Sequence, residues 1–206
     1  MDFATWMAFT AASLVLAVAP GPDNIFVLTQ SAMYGKKSGI TVVSGLCTGI
    51  VLNTLAVALG LAAIVAAFPF LFWTIKVAGA CYLLYLAFMA WLHASDTVRT
   101  STNRGFNSFQ LWRRGVIMNL TNPKVQIFFL AFFPQFVKEG TTGWAFTAQM
   151  LVQGITFAAV TALVFSGIAW AAGSLADRLR NPAVQCRLNQ VSAVIFVLLA
   201  GYALAG

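Results

Sequence analysis

Asn119-Leu120-Thr121-Asn122-Pro123-Lys124 is an amide-rich, proline-containing interruption within an otherwise apolar run. A second interruption, Ala19-Pro20-Gly21-Pro22-Asp23-Asn24, stands nearly half a chain earlier and is also flanked by apolar residues. Proline removes a backbone donor and disfavours helical geometry in the residue before it. The two stretches therefore predict a break within an apolar helix in each half of the chain.

The composition predicts a membrane protein. Hydrophobic residues make up 60% of the 206 residues and charged residues only 8%, against roughly 25% charged residues in soluble domains. Several apolar windows exceed the roughly 18 residues that indicate a membrane-spanning helix. These runs are continuous rather than alternating, which excludes a transmembrane barrel. The expected fold class is an all-α membrane protein.

Six transmembrane helices are predicted, and the first and fourth are the interrupted ones. The first is too long for one straight span, so we expect it to be broken at Pro20-Gly21-Pro22, and the fourth at Asn122-Pro123. The predicted spans are 3–33, 40–67, 71–91, 111–137, 144–172 and 188–205. Between them the sequence predicts a basic turn at 34–39 and an amphipathic, basic connection at 175–187.

Three spans in each half require the second half to enter the membrane in the opposite sense to the first. The chain is therefore interpreted as one integral membrane domain, 1–206, built from two inverted three-helix repeats. The repeats cover about 1–98 and 110–206, with a polar cytoplasmic loop at about 94–112 between them. In such folds, interrupted helices of both repeats meet near the midplane and form the binding site.

The distribution of basic residues predicts the orientation. Nine of the 12 lysines and arginines follow the first, third and fifth spans. The positive-inside rule places these segments in the cytoplasm and both termini on the periplasmic side. This placement also explains the net charge of +7. Because no basic stripe with interleaved aromatic residues is present, no nucleic-acid partner is expected.

The two breaks supply groups that suit a zwitterion. Helix N-termini and amides can hold a carboxylate, while freed carbonyls and an acid can hold an ammonium group. Asp23 lies beside the first break, where a buried charge needs a reason. It can bind a substrate amine, carry a proton, or only cap the helix that resumes at Ile25. Lys124 can snorkel to the interface, pair with Asp23 or bind a substrate carboxylate.

One asparagine outside the breaks joins the candidate site. Asn53 continues a helical face with Gly45 and Gly49, so it can belong either to the site or to an ordinary packing seam. The asparagines of the breaks can bind substrate or satisfy freed backbone groups. The candidate substrate-binding and coupling residues are Pro20, Gly21, Pro22, Asp23, Asn24, Asn53, Asn119, Asn122, Pro123 and Lys124.

No catalytic, metal or cofactor site is predicted. Cys47, Cys81 and Cys186 form no CxxC motif or Cys/His cluster. No nucleophile–base pair can be assembled from the sequence, so enzymatic activity is not expected.

Several motifs resemble the LysE/RhtB amino-acid exporter family. The similar stretches are Pro20-Gly21-Pro22-Asp23-Asn24, Gly79-Ala80-Cys81-Tyr82-Leu83-Leu84-Tyr85-Leu86, Asn119–Lys124 and Phe133-Pro134-Gln135-Phe136. The resemblance implies proton-driven export of amino acids or close derivatives across a bacterial inner membrane. Leu46 and Cys47 stand where some members of the family keep an acid in the second span. Their presence favours small neutral substrates such as threonine, homoserine or leucine.

A transmembrane electron carrier or a small-ion transporter of related fold is the alternative function. The first needs two cysteines near the proline breaks, and the second needs several intramembrane acids or histidines; the sequence offers neither. The expected partners are an amino-acid substrate, protons and the lipid bilayer. Small-residue faces also permit a homodimer.

Overall fold

The structure of the chain is a computed structural model. It describes residues 1–19, 21–67, 107–138, 140–179 and 182–205, together with single positions between 74 and 92. Pro20, most of the predicted span 71–91 and most of the predicted loop 94–112 lie outside the described residues. All regular secondary structure in the described part is helical, which confirms the all-α fold class.

Seven α-helices, numbered here in chain order, have defined ends in the described part of the chain. They are α1 (Phe3–Val18), α2 (Pro22–Tyr34), α3 (Lys36–Ala67), α4 (Ser108–Thr121), α5 (Pro123–Ile127), α6 (Gly143–Leu179) and α7 (Pro182–Ala205). A π-helical turn at Phe128–Phe132 and a 3₁₀ turn at Phe133–Phe136 continue α5. The single positions described between 74 and 92 are also helical.

Side-chain caps fix two of the helix starts. The Asp2 carboxylate accepts a 2.7 Å hydrogen bond from the backbone N–H of Thr5 and caps α1. This hydrogen bond lowers the pKa of the Asp2 carboxyl group, because it favours the ionised form. Asn107 and Gln110 form a capping box at the start of α4. Because of this box, α4 begins at Ser108, and the predicted loop 94–112 ends earlier than expected.

The predicted basic turn at 34–39 is shorter than the sequence indicated. Only Gly35, with φ of 84°, separates α2 from α3. A positive φ suits glycine, which has no Cβ. Lys36 and Lys37 are good helix formers and already belong to α3. In the predicted connection 175–187, α6 likewise continues to Leu179 and α7 begins at Pro182.

The lengths and compositions of the helices fit a membrane. Lys36–Gly60 of α3 and Gly143–Ala172 of α6 are long and apolar enough to span a bilayer. The pair α1 and α2 is bent by 59°, and the pair from Ser108 to Phe136 by 57°. The described residues thus give two candidate spans, or four if each bent pair is one span. That each pair is one broken span, and that six spans exist, stays a prediction.

Helix α3 lies at the centre of the described bundle and packs against α4 on one side and α6 on the other. Its contact with α4 is a backbone contact. A Cβ added to Gly45 would meet the Trp112 carbonyl and would lie 3.0 Å from Gly115 Cα. Small residues allow membrane helices to approach this closely. The short helix α2 packs on both α3 and α6, which places the first break against the middle of the bundle.

Candidate functional site

The first break presents a buried acid. Pro22 is the first residue of α2, a position where its missing N–H costs nothing. Asp23 follows it in the first turn and is 6% exposed. Gly21, not Asp23, is the N-cap residue, so the capping role considered for Asp23 is not what the geometry shows. Asp23 Oδ1 accepts no hydrogen bond from any residue that the structure describes.

Asn122 connects the two breaks. Its side-chain Oδ1 accepts from the backbone N–H of Lys124 at 3.1 Å and caps α5. Its Nδ2 donates to Asp23 Oδ2 at 2.8 Å, across 99 positions of sequence. One buried asparagine therefore both begins the helix after the second break and holds the acid of the first.

Lys124 reaches back across the same junction. Its Nζ donates to the carbonyl oxygen of Ala19 at 2.9 Å. A Cβ added to Gly21 would lie 3.5 Å from Nζ, so the lysine passes close over the first break. Asn24 Nδ2 donates to the Ala17 carbonyl at 2.8 Å. Asn24 and Lys124 thus satisfy two carbonyls that the end of α1 leaves free.

Asn53 and Asn119 lie beside this junction, on α3 and α4. Asn53 Nδ2 donates to Asn119 Oδ1 at 3.2 Å. A Cβ added to Gly49 would lie 2.6 Å from Asn119 Cβ, so the Gly49 and Asn53 face packs directly on Asn119. Both interpretations of Asn53 fit this geometry, because Asn53 lies in a helix-packing seam and that seam borders the candidate site.

Gln126 was not among the predicted site residues, yet it completes this polar group. Its Nε2 donates to Asn53 Oδ1 at 3.2 Å and to the Leu120 carbonyl at 2.8 Å. In a continuous helix, the Leu120 carbonyl would bond to the backbone N–H of Lys124. The signal in the sequence was a lone amide two positions after Lys124, within an apolar run.

A small cavity of about 20 Å³ lies between the breaks. Asp23 and Lys124 both line it, as does Asn119; Asn53 and Asn122 do not. The remaining wall is mostly apolar, and its residues are Leu16, Ala17, Asn24, Leu46, Ile50, Val125, Phe157, Thr161 and Phe165. Sequence reasoning missed Thr161, because a threonine on a long apolar helix gives no distinguishing pattern. The space holds about one water molecule, so this conformation is closed to an amino acid.

The site combines an acid, Asp23, and an amine, Lys124, in the lining of one cavity. Among the described residues, no three His, Cys, Asp or Glu side chains are close enough to hold a metal ion. The acid, one of whose oxygens has no hydrogen-bond partner among the described residues, and the amine, which donates to a carbonyl oxygen, line the same small cavity. Such an arrangement can exchange its internal partners for the ammonium and carboxylate of a zwitterion.

The profile of one transporter family, described as "LysE type translocator", matches residues 14–206. The chain belongs to this family. The translocator is therefore a membrane transporter of an amino-acid efflux family, in agreement with its apolar helices.

Named relatives cover nearly the same length. The translocator is 31% identical over 202 residues to the homoserine/homoserine lactone efflux protein of Salmonella typhimurium, with 96% of this chain and 95% of that protein aligned. It is 31% identical over 197 residues to an uncharacterized membrane protein of Vibrio cholerae, with 96% and 95% aligned. It is 30% identical over 164 residues to the leucine efflux protein of an Enterobacter species, with 77% of each chain aligned. No solved structure gives a significant match.

Proposed function

We propose that the translocator exports small neutral amino acids, such as homoserine, threonine or leucine, from the cytoplasm in exchange for protons. The observation that carries the proposal is that Asp23 and Lys124, from two different helix breaks, line one small cavity. The names of the homoserine and leucine efflux relatives agree with the substrate class.

In the proposed mechanism, the substrate ammonium group binds Asp23 through the unpartnered Oδ1. The substrate carboxylate then draws Lys124 Nζ away from the Ala19 carbonyl. Both contacts are charge-assisted hydrogen bonds, which are about twice as strong as neutral ones. The side chain of the substrate faces Leu16, Ile50 and Phe157. These residues are apolar, which suits an uncharged side chain and disfavours a basic or acidic one.

Asp23 also supplies the coupling step in this proposal. A proton that enters from the periplasmic side neutralises the carboxylate, and the ammonium group loses its counter-charge and is released. Asp23 then releases this proton into the cytoplasm, and the ionised acid binds the next substrate from that side. Asn122 holds Asp23 Oδ2 in either state, because an amide N–H can donate to a neutral or an ionised carboxyl group.

The architecture that we propose for this transport is one domain, 1–206, in a bacterial inner membrane. It has six spans in two inverted repeats, a cytoplasmic loop within 94–112 and both termini in the periplasm. Because the cavity holds about one water molecule, transport requires an opening on each side in turn. The two bent helix pairs, at 59° and 57°, supply the interrupted helices of the proposed repeats.

Efflux from cells preloaded with single amino acids tests the proposal. Cells that overproduce the translocator should lose homoserine, threonine or leucine faster than vector controls, and lysine and glutamate at the control rate. Collapse of the proton gradient should remove the difference. If no amino acid leaves faster than from the vector control, the exporter function is wrong. If efflux persists without a proton gradient, the antiport step is wrong.

A further inference from the structure

The cavity lies between two kinds of packing. Along one face of α6, Phe157 belongs to an aromatic core, Thr161 and Phe165 line the cavity, and Ala169 packs against the start of α3. Helix α3 gives the same order. On α3, Val57 belongs to the aromatic core, Leu46 and Ile50 line the cavity, and Gly39 lies on the far side. The cavity therefore has an aromatic side, marked by Phe157, and a second side, marked by Ala169. These two residues are about 18 Å apart along α6.

Phenylalanine rings close the aromatic side. Seven rings contact one another, with centroid separations from 4.3 Å to 6.2 Å, and each is at most 3% exposed. They are Phe9, Phe128, Phe129, Phe132, Phe133, Phe136 and Phe157, and we call them the phenylalanine cluster. Ring-on-ring packing of this kind is dry and leaves no group for a zwitterion to contact.

Within the described residues, buried polar atoms without partners lie on both sides of the cavity. Ser13 Oγ and Gln153 Oε1 lie one helical turn from Phe9 and Phe157 of the phenylalanine cluster. Gln30 and Ser31 lie on the second side, and Thr161 lies in the cavity wall. Gln30, Ser31 and Thr161 are 1%, 5% and 4% exposed. Gln30 Oε1, Ser31 Oγ and Thr161 Oγ1 form no hydrogen bond with any residue in the described part of the chain. Buried polar groups are nearly always paired, so several orphans in one region need an explanation.

These groups lie in a line that leads away from the cavity. On α2, Asp23, Val27, Gln30 and Ser31 are separated by four, three and one residues, which places them on one helical face. That face starts at the cavity and runs about 12 Å towards Gly35. At its far end, a Cβ added to Gly39 would meet Ser31 Oγ and would lie 3.1 Å from Ala169 Cβ. We call Gln30, Ser31, Gly39, Thr161 and Ala169 the polar seam.

We propose that the polar seam is the closed cytoplasmic branch of the substrate route, and that Gln30, Ser31 and Thr161 line it when α2 and α6 separate. The orphaned atoms then contact water and the zwitterion. At the far end of the seam, Lys36 Nζ of α3 lies 3.9 Å from the centroid of the Trp170 ring of α6. The proposal deepens the proposed function and rests on its orientation, which puts Lys36 on the cytoplasmic side.

Cysteine accessibility tests the route. In the full-length chain with Cys47, Cys81 and Cys186 replaced by serine, Ser31→Cys and Gln30→Cys each give one reporter thiol. A charged, membrane-impermeant methanethiosulfonate is added to inside-out vesicles without substrate. Ala32→Cys is the control for depth, since Ala32 is exposed on the outer side of α2. Ala12→Cys is the control for burial, since Ala12 is 2% exposed and packs with the phenylalanine cluster.

We expect Ser31→Cys and Gln30→Cys to react on the order of tenfold faster than either control, because the reacting thiolate forms poorly in apolar surroundings. Modification of either reporter should block amino-acid uptake into the same inside-out vesicles, which corresponds to efflux from cells, in a variant that transports before modification. Equal rates at Ser31→Cys and Ala32→Cys, or no reaction at either reporter in a chain that still exports, would overturn the route. If the labelling pattern holds but no amino acid is exported, the route stands and the proposed substrate class fails.

Discussion

The two helix breaks differ in how they satisfy their backbone. The second break is a single residue, and Asn122 caps the helix that follows it. Gln126 of α5 donates a hydrogen bond to the freed Leu120 carbonyl. The first break is capped by Gly21, which has no side chain to offer. The Ala19 carbonyl of the first break accepts a hydrogen bond from Lys124, and the Asp23 carboxyl group accepts one from Asn122. Both donors belong to the second break.

This difference indicates that the two breaks have different roles. The second break supports itself and also holds the first, whereas no described side chain of the first break holds the second except through Asp23. Changes at the second break should therefore damage both the packing and the site. Changes at the first break should damage the chemistry and leave the packing almost intact.

The largest expected effect is the loss of efflux in Asp23→Asn. The amide keeps the size of the side chain but removes the carboxylate that we propose to bind the substrate ammonium and to carry the proton. We expect efflux to fall to the vector level while the protein still inserts. Radiolabelled homoserine efflux, with membrane content checked by immunoblot, is the measurement. Asp2→Asn is the matched control, because Asn also caps a helix start. Normal efflux in Asp23→Asn would show that the acid only has a structural role.

Lys124→Met should have the next largest effect. Methionine keeps much of the apolar stem but leaves the Ala19 carbonyl without a donor and the substrate carboxylate without a counter-charge. Efflux should fall about tenfold, the equivalent of one charge-assisted hydrogen bond. Lys138→Met, at an exposed lysine beyond Phe136, is the control and should transport normally. Unchanged efflux in Lys124→Met would support the snorkelling interpretation.

Two substitutions of Asn122 can separate its capping of α5 from its hydrogen bond to Asp23. Asn122→Ala loses both, so the free energy of unfolding should fall by about 2 kcal/mol. Asn122→Ser keeps a capping oxygen on a side chain too short to reach Asp23. The serine variant should therefore keep most of the stability and still transport several-fold more slowly. Thermal unfolding of the purified protein and efflux from cells are measured together. Equal stability loss in both variants would contradict this division of roles.

The smallest expected effect is that of Gln126→Leu. Leucine removes the donor to Asn53 and to the Leu120 carbonyl but leaves Asp23 and Lys124 in place. The free energy of unfolding should fall by about 1 kcal/mol, and efflux should change less than twofold. Asn24→Ala is the counterpart in the first break, since it frees only the Ala17 carbonyl. A larger loss of efflux in Gln126→Leu than in Lys124→Met would contradict the structural role of Gln126 and the proposed substrate-binding role of Lys124.

The sequence predicted the helical, membrane-bound class and the transporter family, because composition and the motifs around Pro22 and Pro123 are local properties. It overestimated the turn at 34–39, since Lys36 and Lys37 suit a helix as well as a loop. The contact between Asn122 and Asp23 depends on tertiary packing, which one sequence does not encode in any local pattern. Thr161 likewise gives no local pattern, whereas Gln126 is marked in the sequence as a lone amide within an apolar run. The six spans, the repeats and the site remain predictions.

The backbone contact between Gly45 and Gly115 has a consequence for motion. In the proposed architecture, α3 belongs to the first repeat and α4 to the second, so this contact is a point where the two repeats touch without intervening side chains. Packed backbone cannot be compressed, and interlocked surfaces resist sliding. The contact between Gly45 and Gly115 is therefore suited to act as a pivot between the two repeats. If the repeats rock against each other, the distances around Gly45 and Gly115 should change least, and the bent pairs on either side should swing about them.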